Sequence, residues 1–178
     1  MEAEPIIERA LSIDGQAFGK DHPDVATVLS NLASLFEATH RYNEAEPLRE
    51  RALRIDGQIF GNDHPQVASD LSNLAILLHK LEKPEEALSL FRRAIAIALH
   101  SESTNKQEHP ALPVRLRLYR SVMEDSGLDG TEQRKNLMSL GTEAGWQPAD
   151  WQKKLAALLP PSTFPVDQAS AAAVAAFR

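Results

Sequence analysis

Apolar residues recur along the first hundred positions at steps of three and four. Val25, Leu29, Leu32, Ala33 and Phe36 form one such run, and Val67, Leu71, Leu74, Ala75 and Leu78 form the next. This is the spacing of an α-helix with one buried face. Both runs begin at Asp-His-Pro, where Asp21 or Asp63 can cap the helix and Pro23 or Pro65 suits its first turn. The pattern predicts inner helices near 22–39 and 64–81. Partner helices are expected near 43–60 and 84–100, after turns at His40-Arg41-Tyr42 and Glu82-Lys83-Pro84, with an unpaired helix at 2–18. Gly19 and Gly61 are placed to close the first two helices of this second kind. Charge separates the two kinds. Between 23 and 39 only Asp24 and Glu37 are charged, whereas 44–56 carries Glu44, Glu46, Arg49, Glu50, Arg51, Arg54 and Asp56. The first kind is therefore the sheltered layer and the second the solvated one.

The runs are copies of one unit. A shift of 42 residues lays Glu8-Arg9-Ala10-Leu11 on Glu50-Arg51-Ala52-Leu53, and 25 of the 42 pairs between 1–42 and 43–84 are identical. Beyond residue 100 the frame slips by three, so that His109-Pro110 stands where His64-Pro65 would recur and Leu116, Met123 and Gly127 fall on Leu71, Leu78 and Glu82. Small residues at Ala33, Ala75, Ala45, Ala52, Ala87 and Ala94 allow close helix approach. Stacked helical hairpins satisfy all of these features.

The strings Leu-Ser-Asn-Leu-Ala (29–33 and 71–75), Tyr42-Asn43-Glu44-Ala45-Glu46-Pro47-Leu48, Arg51-Ala52-Leu53-Arg54-Ile55 and Gly61-Asn62-Asp63-His64-Pro65 resemble tetratricopeptide repeats. The resemblance is to the 42-residue kind found in kinesin light chains and in many bacterial proteins. It implies an all-α, right-handed superhelical solenoid of antiparallel hairpins with a C-terminal helical cap. Residues 1–100 carry it strongly and open partway through a repeat, as in a fragment of a longer array or a shortened one. Residues 101–159 read as a degenerate repeat and capping helices, with Thr131–Leu140 and Ala149–Leu159 helical, and 160–178 as a Pro/Ala-rich tail. Arg49 and Ile7 depart from the family's usual aromatic, which Phe91 keeps, and Arg120 and Glu132 replace the small residues Ala75 and Ala87.

Composition narrows the chemistry. The 178 residues contain no cysteine, which removes disulfides, thiolate nucleophiles and cysteine-bound zinc. A formal charge of -6 argues against nucleic acid as the main partner. No apolar run approaches the roughly 18 residues that span a bilayer, and the start Met1-Glu-Ala-Glu-Pro lacks the marks of a signal peptide. A cytoplasmic location without membrane contact is expected. Phosphate-loop, dinucleotide, nucleophile-elbow and metalloprotease motifs are all missing. His22, His64 and His109 recur with the repeat, a layer of two helices apart, and so read as turn residues rather than metal ligands. No enzyme activity, metal or cofactor is expected.

The informative polar set lies on the inner helices. Thr27, Ser30, Asn31 and Ser34 share one strip, matched by Ser69, Ser72 and Asn73, with His79 and Arg117 at its later end. In the family this strip lines the concave groove. Asn can donate and accept at once and so hold the backbone of an extended peptide; bonding to a neighbouring helix is the other role open to Asn31 and Asn73. The expected function is a non-catalytic module that binds a protein or peptide in this groove. Two alternatives remain: a scaffold or homodimer assembling through an apolar N-terminal edge with Ile6 and Ile13 in contact, and a regulatory segment of a larger signalling ATPase or enzyme.

Overall fold

The computed structural model describes residues 22–105 and 109–159. Among the described residues there are seven helices and no strand: α1 Pro23–Ala38, α2 Tyr42–Phe60, α3 Pro65–Lys80, α4 Pro84–Asn105, α5 Leu112–Asp125, α6 Gly130–Glu143 and α7 Pro148–Leu158. Up to α5 each helix packs on the one before it, so the hairpins α1–α2 and α3–α4 stack in chain order. Apolar burial drives this packing. Val25, Ala26, Leu29, Ala52 and Ile55 form a closed cluster in the first hairpin, and Val67, Ala68, Leu71, Ala94 and Ile97 form one in the second. Every member of the second cluster stands 42 positions after its counterpart. A larger core runs from Leu32 and Ala33 through Phe91 and Leu116 to Trp151 and Leu159 and joins the hairpins into one body.

The helix starts differ from the sequence expectation in one respect. His64, rather than Asp63, occupies the cap position of α3, and His22 occupies that of α1. The Nδ1 of His64 accepts the Gln66 amide at 3.1 Å and that of His22 accepts the Asp24 amide at 3.3 Å. The proline at the first helical position keeps the residue before it extended, with φ -75 and ψ 143 at His64. That geometry brings the ring, and not Asp63, over the first free amide. His109 repeats the device on the Ala111 amide at 3.2 Å, which accounts for the histidine recurring with the repeat.

The helix ends recur as well. His40 and Glu82, 42 positions apart, both take φ 59, and the next amides, Arg41 and Lys83, reach back to the Phe36 and Leu78 carbonyls at 2.8 and 2.9 Å. This is the left-handed termination that glycine favours. Gly127, at φ 78, fills the same place after α5. Helix α4 runs to Asn105, three residues beyond the repeat of α2's end, and this extension takes up the slipped frame.

The third hairpin is open. Helices α5 and α6 barely touch, and α6 leans on α4 and α7 instead. Arg120 sits beside Glu124 at 2.9 Å, while Glu132 closes a capping box with Asp129 at the start of α6. Neither offers the bare surface that Ala75 and Ala87 give the second hairpin. A polar clamp replaces it: Arg92 of α4 donates to Tyr119 Oη and Ser139 Oγ at 3.3 Å and to Glu143 Oε1 at 2.5 Å. Helix α7 packs on α6 and buries Trp151 and Leu155, and the Trp151 indole N–H donates to the Leu137 carbonyl at 2.8 Å.

Candidate functional site

The polar residues that the sequence singles out on α1 and α3 fall into two classes. Four hydroxyls are occupied. Thr27, Ser34, Ser69 and Ser72 each donate to the carbonyl four residues back, at 3.3, 3.0, 3.2 and 2.7 Å to Pro23, Ser30, Pro65 and Ala68. The carboxamides are available. Asn31 and Asn73 are exposed, and neither side chain is engaged among the described residues. Among the described residues neither bonds a neighbouring helix. Ser30 is half-buried beside Asn31.

Two guanidinium groups finish the strip, and sequence reasoning assigned neither to it. Arg49 of α2 is buried where the family usually has an aromatic. It donates to Ser34 Oγ at 2.9 Å and to Glu37 Oε1 at 2.8 Å, and Lys80 stands 3.7 Å from the other oxygen of Glu37. Arg115 of α5, only 4% exposed, donates to Ser72 Oγ at 3.0 Å and to Ser69 Oγ at 3.3 Å. Burial lowers its pKa, and its Nη1 is buried without a hydrogen-bond partner. Ser72 is therefore not an open groove position: it is 8% exposed and sealed under Arg115. Arg117, the arginine expected in the strip, is exposed. A signal for Arg115 was present, since the 42- and 45-residue shifts put Val28, Asp70 and Arg115 on one position.

At the later end His79 Nε2 meets Asp125 Oδ2 at 3.0 Å and bridges α3 to α5. His79 is thus partly used inside the fold. Among the described residues no three His, Asp or Glu side chains are grouped to hold a metal ion. No described helix is long and apolar enough to cross a membrane. Ile6 and Ile13 lie outside the described residues, as do the expected helix at 2–18, Asp21 and the tail at 160–178.

What the strip offers is a pair of exposed carboxamides one repeat apart on a backing of hydroxyls, arginines and packed helices. Tetratricopeptide repeats match residues 1–56 and 29–100 of this chain. The chain belongs to the tetratricopeptide repeat family. Repeats of this family generally mediate protein–protein interactions, and the fold is typically a non-catalytic interaction module. Three solved structures share the fold at a TM-score of 0.65. Two come from Podosopora anserina and are described as a kinesin light chain with nearly identical TPR-like repeats, one of them a point variant; both are 20% identical to this chain. The variant's structure covers 81% of this chain and 66% of its own, the other 88% and 76%. The third is BtubC (BKLC) of P. vanneervenii, 23% identical over 86% of this chain and 56% of its own. This tetratricopeptide chain therefore spans from just over half to three quarters of the length of the structures it resembles. No curated protein compared with it matches.

Proposed function

We propose that this chain binds an extended protein segment along the α1–α3–α5 face, with Asn31 and Asn73 holding the segment's backbone. The observation that carries the reading is the division within the strip. Thr27, Ser34, Ser69 and Ser72 spend their hydroxyls on the helix's own backbone, while the two carboxamides at equivalent places in successive repeats are exposed and uncommitted among the described residues. A carboxamide can donate to a peptide carbonyl and accept from a peptide N–H together. Hydrogen bonds to a ligand backbone fix register without selecting side chains, and flanking charges then tune the choice of segment. Thr27 and Ser69 border the carboxamides, and Arg117 and the His79–Asp125 pair mark the later end.

Photo-crosslinking in cells distinguishes the faces. A benzoylphenylalanine at position 31 or 73 is expected to give a discrete adduct with a second protein, and one at the exposed Glu50 of α2 is expected to give none. Adducts from position 50 alone would put the interaction on the outer helices and overturn the reading.

A further inference from the structure

The junction between the first and second hairpins contains two carboxyl groups where a solenoid ordinarily has apolar or neutral contact. Asp56 of α2 is 6% exposed and Asp70 of α3 is 4% exposed. Asp56 faces the Asp70 carboxyl and acts on it through both hydrogen bonding and charge, and Asp70 Oδ2 is buried where no donor reaches it. Two buried carboxylates this close cannot both be ionised without large mutual repulsion. One proton between them turns repulsion into a hydrogen bond. The position is unlike its repeats: Val28 stands in the preceding unit and Arg115 in the next.

We infer that Asp56 and Asp70 form a shared-proton latch that ties the α1–α2 hairpin to α3 and loosens as the pH rises. The surrounding groups agree with this. Burial, followed by Asp56, pushes the Asp70 carboxyl up to about 7, against a smaller lowering by Arg49. From α2 the facing charges are Asp56 and Arg49, and Arg49 is already held by Glu37 of α1 at 2.8 Å. From α3 itself Gln66 reaches in, its Nε2 3.5 Å from Asp70 Oδ1. On the α5 side Arg115 is committed to Ser69 and Ser72. The Arg92 of α4 points to Tyr119, Ser139 and Glu143. Among the described residues the cation acting on Asp70 is thus Arg49, and its pull is weaker than the push from Asp56.

The sign follows from linkage. A carboxyl whose folded pKa is raised stabilises the junction fully below its unfolded pKa, and that stabilisation is lost as the pH rises to and through the folded value. With a folded value of about 7, the opening constant of the junction rises about tenfold between about pH 6 and pH 8. Because Arg49 bonds Ser34 on the polar strip and also faces Asp70, loosening here reaches the face that carries Asn31.

Two measurements on the full chain test the latch. In carbon-13 NMR the Asp70 carboxyl is expected to titrate near pH 7, and titration of both carboxyls near the ordinary value for aspartate would overturn the proposal. Backbone hydrogen exchange in α2 and α3, corrected for intrinsic rates, is expected to show opening about tenfold greater at about pH 8 than at pH 6. That increase should vanish in Asp70→Asn, whose carboxamide cannot ionise, and in Asp70→Val, which copies the first repeat. A pH-independent opening constant in the wild type, or an equal increase in the variants, also overturns it. The wild-type arms decide the matter even if a variant fails to fold.

Discussion

The hairpin α3–α4 and the hairpin α5–α6 occupy successive places in one stack but are held by different forces. In the first, Ala75 and Ala87 bring the helices together, and burial of apolar surface supplies the cohesion. In the second, Arg120 and Glu132 fill those places and the helices part. Cohesion there comes from Arg92 reaching across to Tyr119, Ser139 and Glu143 and from the Trp151 indole driven over α6. A repeat can thus lose its packing code and keep its place, provided that neighbouring elements supply other contacts. The cost is that stability at this end depends on a few residues with no equivalent elsewhere in the repeats.

Gly141 is the sharpest of these. A Cβ built there would lie inside the Trp151 indole. Gly141→Ala should expel the indole and cost about 3 to 5 kcal/mol, the range for losing a buried aromatic. A urea midpoint for this variant close to that of the wild type would show that the indole is not the plug of the third hairpin.

The next contrast is volume at the small positions. Ala33→Leu or Ala75→Leu should each destabilise by about 1 to 3 kcal/mol through overpacking. At the equivalent place in the open hairpin, Arg120→Leu should cost less than about 1 kcal/mol. Equal losses in denaturant titrations at positions 75 and 120 would mean that the two hairpins are packed alike.

The smallest effect is at the helix ends. Glu82 bears a left-handed φ of 59 where the third hairpin has Gly127. Exchanging the residues should have opposite signs: Glu82→Gly gains about 0.5 to 1 kcal/mol and Gly127→Ala loses about 1 kcal/mol. Differential scanning calorimetry of the two variants reads both signs directly.

The regular part of this architecture was legible because its information is periodic. Helices at 22–39, 64–81 and 43–60 follow from apolar spacing and agree with α1, α3 and α2 to within one residue. The open third hairpin was foreshadowed by Arg120 and Glu132. What the sequence hid was contact between residues that share no period. The repeat frame puts Arg115 on the position of Asp70, but only the stacking of α5 on α3 lays it over Ser69 and Ser72 and closes part of the expected groove. Asp56 and Asp70 were two charges among many, because no spacing along the chain says that α2 and α3 bury them face to face. The capping role of His64 was missed for a local reason. Aspartate is the commoner cap, and the backbone before Pro65 selects the residue next to it.

The central claim is that Asn31 and Asn73 serve binding and not folding, and a paired measurement on Asn31→Ala/Asn73→Ala tests it most directly. Calorimetric titration with the segment captured by crosslinking at position 31 or 73 should show roughly 1 to 3 kcal/mol of lost affinity, at about 0.5 to 1.5 kcal/mol for each hydrogen bond, while the melting temperature stays near that of the wild type. Unchanged affinity accompanied by a large fall in melting temperature would contradict the account and return both residues to the fold.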